Sequence, residues 1–245
     1  MNDAPNQTPA ASASLIDRAV QVIVAPAAAM RAVVDRPAWL APLGVICLLV
    51  WLFTAFNVHI MMPESVERQL AHAPAAQVEM LERQLDMFSD PPPWLRLLTG
   101  LGAGLSAVLA ILLPGLVLHL FLRLSEGKGK LRQTLGVVSW AGLIAYGLRT
   151  VLSWAIVAAT GSGTYAGLTA ASLMPEANPS SVPFVVAGIY GDPFIYWMLW
   201  VVLIGVILVH QLPRSRALIV VAATYVLLSI VPIAFTLLGQ AVGGH

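Results

Sequence analysis

A chain of 245 residues that is 58% hydrophobic and 10% charged, with a mean hydropathy of +0.83, is too long and too apolar for an ordinary soluble domain. A formal net charge of +1 gives no electrostatic footprint for nucleic acid, and the single cysteine, Cys47, rules out an intrachain disulfide. The solvent that suits such a chain is a bilayer.

In chain order, the first 14 residues lack a basic n-region and read as a retained, disordered tail and not as a signal peptide. Residues 15–36 read as a cytoplasmic amphipathic segment. Within it LIDRAVQVIV places Leu15, Ile16, Ala19, Val20 and Ile23 at helical spacing, with Asp17 and Arg18 on the other side. That pattern suits a helix on the membrane surface and equally one packed against the protein's own spans.

Five runs are long enough to cross about 30 Å of hydrocarbon as helices. They cover residues 39–58, 97–122, 134–160, 194–211 and 217–238, inside a membrane domain expected over 37–240. Backbone polar groups in lipid must be paired within their own segment, so the fold class is all-α. The expected architecture is an integral membrane bundle of five transmembrane helices with amphipathic surface helices.

Between the first two spans, Val78, Leu81, Leu85 and Phe88 recur at steps of three and four, and Glu79 and Arg83 form an i,i+4 pair. A short amphipathic helix is expected there, preceded by a turn or two around Val66 and Leu70 and ended by Pro91 to Pro93. In the second span Gly100 and Gly104 lie four apart on one face, which lets a neighbouring helix approach closely. Pro114 should kink that span.

The next connection carries Arg123, Lys128, Lys130 and Arg132 around Gly127 and Gly129. It does not fit the phosphate-loop pattern, which needs a glycine-lysine-serine/threonine run between a strand and a helix. It reads as a tight hairpin turned by its glycines, and its basic residues are candidates for anionic lipid headgroups at about 1 kcal/mol each. Sorting all basic residues by segment places nine in the N-terminal segment and the second and fourth connections, against three in the first connection. By the positive-inside rule the N-terminus is cytoplasmic and the C-terminus outside.

Arg149 falls within the third span, and Asp192 precedes Pro193 at the start of the fourth. They are candidates for an intramembrane charge pair, with Asp192 also suited to cap the helix that follows. His119 and His210 lie near the inner ends of spans two and four, where they fit a metal pair or ordinary interfacial histidines, the commoner role. No metal site, cofactor or catalytic residue is assigned, and no enzyme activity is expected.

Three segments together resemble a known family. VIVAPAAAMRAVVDRPAWLAPL, GKGKLRQTLGVVSWAGLIAYGL and GDPFIYWMLWVVLIGVILVH with its following RSRA turn resemble the Yip family, the Ypt/Rab-interacting membrane proteins, and bacterial members most of all. The resemblance implies five spans with a cytoplasmic N-terminus, and a place in a bacterial inner membrane. Eukaryotic members assist vesicle trafficking, bind small GTPases and carry an acidic tyrosine-glycine-proline motif ahead of the first span, which is absent here. The function expected is a non-enzymatic membrane scaffold or organiser that binds lipids or partner membrane proteins, with a carrier or channel for a small solute or lipid as the alternative.

Overall fold

The computed structural model describes residues 14–243, with side chains described for 14–238, so the tail expected over residues 1–14 lies outside the description except for Ser14. Among the described residues all regular structure is helical: α1 Leu15–Val24, α2 Pro26–Asp35, α3 Leu40–Leu70, α4 Ala75–Ser89, α5 Pro93–Leu124, α6 Leu131–Gly142, α7 Arg149–Thr160, α8 Val182–Tyr190, α9 Pro193–His210 and α10 Arg214–Gly243. A π-helical segment, Leu143–Leu148, joins α6 to α7 without a break. Among the described residues five helical units are long and apolar enough to cross a membrane: α3, α5, the continuous run Leu131–Thr160, α9 and α10.

The spans differ from the sequence expectation mainly at their ends. Helix α3 continues past residue 58, through Pro63, and absorbs the turn expected around Val66 and Leu70; Val66 is buried. Helix α5 continues through Pro114, as a kinked or a straight helix can, because a single proline removes one backbone bond without having to end the helix. Helix α4 forms where its periodicity places it and buries Leu81, while Val78, Leu85 and Phe88 are half-buried on the same side. The nine-residue α8 had no counterpart in the reading of the sequence, although Ser181 caps it and Pro183 sits in its first turn.

Glycines set the distance between α3 and α5. A methyl group on Gly100 would lie 2.6 Å from the Trp51 carbonyl oxygen, and one on Gly104 would lie 2.7 Å from that of Cys47. Both contacts are to backbone, so the two helices could not pack this closely with any larger residue. Gly102, between them in sequence, faces open space.

This antiparallel register has a consequence for the N-terminal segment. Pairing Trp51 with Gly100 and Cys47 with Gly104 brings the start of α3, Leu40, level with Ile111, about 20 Å short of the end of α5. Helices α1 and α2 fill the space that α3 leaves. Val22, Ala29, Met30 and Val33 are fully buried there. Gln133 donates to the Val34 carbonyl at 3.1 Å, and the Trp140 indole donates to that of Ala38 at 2.9 Å. Arg18 lies over the Trp140 ring, 5.2 Å from its centre. Residues 15–36 are therefore core on their inner side. Ile16, Val20 and Val24, at i, i+4 and i+8, remain an exposed apolar stripe on α1.

Candidate functional site

Helix α9 is tied to the third span at both ends by polar side chains, and the candidate site residues gather at these two ties. The span-three positions involved, Thr134 and Arg149, are about 22 Å apart along an ideal helix, and Asp192 and His210 are about 27 Å apart. The long arginine side chain covers the difference.

At the basic end, Thr134 Oγ1 lies 2.8 Å from His119 Nδ1 and 2.9 Å from His210 Nε2. One hydroxyl proton cannot serve both rings, so at least one imidazole donates to the threonine oxygen, whose proton can also reach the Lys130 carbonyl at 3.5 Å. The two rings are 5.9 Å apart, and the threonine hydroxyl bridges them. Among the described residues no group of three or more His, Cys, Asp or Glu side chains could hold a metal ion. His210 is buried, and its Nδ1 has no hydrogen-bond partner among the described residues.

The hairpin closes over this histidine. Lys128 N–H donates to the His210 carbonyl at 3.2 Å. A methyl group on Gly127 would lie 2.7 Å from His210 Nδ1, and one on Gly129 2.8 Å from its Nε2. By their sequence these glycines suit a turn, but neither has a positive φ; Glu126 does, at 64°. The glycines are small so that the backbone can lie on the imidazole. Lys128 and Lys130 alternate with them and are exposed, as are Arg123 and Arg132. Arg123 donates to the Gly127 carbonyl at 3.3 Å, and Arg216 pairs with Glu126 at 3.5 Å.

At the opposite end, Arg149 Nη1 donates to Asp192 Oδ2 at 2.5 Å. The other carboxylate oxygen accepts from the backbone N–H groups of Phe194 and Ile195 at 2.9 and 3.2 Å, so Asp192 caps α9 and pairs at the same time. Asp192 is 2% exposed. The guanidinium carbon sits 5.7 Å from the centre of the Tyr146 ring, which belongs to the π segment. π-Turns inside α-helices often coincide with functional sites.

Arg149 also lines a cleft of about 560 Å³ between α3, α5 and the third span, bordered by Ala166, Gly167 and Thr169. Its lining includes Thr54, Ser106 and Thr150. Neither the pairing of Thr134 with the histidines nor this cleft was foreseen. The depth of His119 and His210 in their spans was readable, but Thr134 gave no signal beyond standing near the same boundary.

The family model described as Yip1 domain matches residues 20–236. No curated protein and no solved structure matches the chain.

Proposed function

The chain belongs to the Yip1 domain family, and on that premise we propose that it is a non-enzymatic membrane organiser whose basic end faces the cytoplasm and holds anionic lipid headgroups. The observation that carries this reading is the alternation at the hairpin. Gly127 and Gly129 are buried against His210, and Lys128 and Lys130 point out.

A backbone held in place before binding loses little entropy when the lysines meet a ligand. Each exposed cation near an anionic membrane surface contributes about 1 kcal/mol, and Arg123 and Arg132 extend the same basic face. The exposed stripe Ile16, Val20 and Val24 supports the reading from the same half of the bundle, since an amphipathic helix presents such a stripe to acyl chains.

The test is native mass spectrometry of the protein released from nanodiscs containing phosphatidylglycerol and phosphatidylcholine. The double variant Lys128→Gln, Lys130→Gln should lose phosphatidylglycerol adducts selectively, with an unchanged melting temperature. Equal enrichment in the variant and the parent protein would refute the proposal and leave the charges a topological role.

A further inference from the structure

Two clefts flank α5, and they meet at Ala110 and Tyr146, which line both. The first is the cleft beside Arg149; Ala103, Ser106 and Ala107 line it from α5. Small side chains on that helix leave the opening. The second, about 490 Å³, lies between α5, α9 and α10 and is apolar, with Leu113, Leu199 and Val221 among its walls. Both volumes fall in the range of small-molecule sites.

We infer that the two clefts form one site for an amphiphile with an anionic head, a phosphate or a carboxylate. The head lies against Arg149 and the tail runs past Tyr146 into the apolar cleft. Arg149 is the only charged residue among those lining either cleft.

The pair with Asp192 leaves the guanidinium able to hold such a head. Arginine has five N–H donors, and Asp192 takes a single bond from Nη1. The Asp192 charge is itself shared with the start of α9, through the bonds from Phe194 and Ile195. The other guanidinium donors have no hydrogen-bond acceptor among the described residues, and a donor left unpaired away from water is costly. The hydroxyls of Thr54 and Ser106 open on the same cleft, and neither has a protein partner among the described residues. A phosphate or carboxylate supplies acceptors to all three groups. Hydrocarbon alone, or a neutral head with a single hydroxyl, supplies none or too few.

This site stands at the end of the bundle opposite the lysine hairpin and does not depend on it. The two can therefore be tested apart, with single-chain probes in a neutral detergent: hexadecyl phosphate, palmitate and hexadecanol, titrated by native mass spectrometry. The expected result is one saturable equivalent of hexadecyl phosphate or palmitate per chain, with hexadecanol at least about tenfold weaker, as fits the loss of a hydrogen bond to a charged group. The tighter of the two anions identifies the head as phosphate or carboxylate. Ser106→Phe fills the polar cleft without touching the ion pair and should weaken binding of the anion about tenfold or more. Ala110→Leu, at the junction of the clefts, does the same should Ser106→Phe fail to fold. The Lys128→Gln, Lys130→Gln variant should keep the saturable equivalent that Ser106→Phe weakens, whatever weaker adducts it loses at the hairpin. Equal binding of hexadecanol, full binding by the folded cleft variants, or loss of binding in the lysine variant alone would each overturn the site.

Discussion

Removing the Arg149 side chain should destabilise the bundle, and neutralising Asp192 in the same molecule should then cost little more. The side chains of Arg149 and Asp192 are 27% and 3% exposed, so Arg149→Leu strands a carboxylate that water cannot reach. Breaking a buried pair from one side costs about 3–5 kcal/mol. The lower end applies, because Asp192 keeps its two bonds from the α9 backbone. Asp192→Asn keeps a cap oxygen but leaves the cation unpaired, a loss of about 2 kcal/mol for a charge-assisted bond. In the double variant neither charge is stranded, and the total should be about 3 kcal/mol, which makes the coupling about 2 kcal/mol. Thermal unfolding in detergent should read this as a double variant melting about 4–8 °C above the additive expectation. Shifts that add to within about 0.5 kcal/mol would show that the two side chains do not stabilise one another.

The glycines of α5 give an internal control: Gly100→Ala and Gly104→Ala press on the backbone of α3 and should each cost about 1–3 kcal/mol, whereas Gly102→Ala meets nothing and should be neutral or stabilising by up to about 1 kcal/mol. Equal melting temperatures for all three would contradict the α3–α5 register. At the hairpin, Gly129→Ala places a methyl group 2.5 Å from Val209 Cγ1 and 2.8 Å from His210 Cε1, and it should lower the melting temperature less in a His210→Ala background than alone. Orientation can be read with single cysteines: Ser125→Cys should react with an impermeant maleimide only after cell lysis, and Ser181→Cys in cells whose outer membrane is permeabilised. The reverse pattern would place the basic end outside. Cys47, half-buried with its Sγ where a methyl group on Gly104 would meet it at 3.1 Å, should contribute no labelling in either case.

The sequence by itself determined the number of spans and the basic and acidic ends, because both depend on local composition. A run of about 20 apolar residues has to be helical in lipid wherever its neighbours stand. The inner face of α4 and the capping role of Asp192 were readable for the same reason: periodicity and a proline at the first helical position act within a few residues. Whether Asp192 also meets Arg149, 43 residues away, could be posed from sequence as a matter of equal depth, but only the packing of α9 on the third span decides it. The four-residue spacing of Gly100 and Gly104 marks one face of α5, but that α3 occupies this face and leaves Gly102 facing open space is decided by the packing alone. Gly127 and Gly129 looked like turn residues and are packing residues, because the imidazole they cover comes from the end of α9, beyond two further spans. Residues 15–36 carry a pattern that fits a membrane surface and a protein core equally well. The register of α3 on α5 decided between them by leaving about 20 Å of the bundle for these two helices to fill.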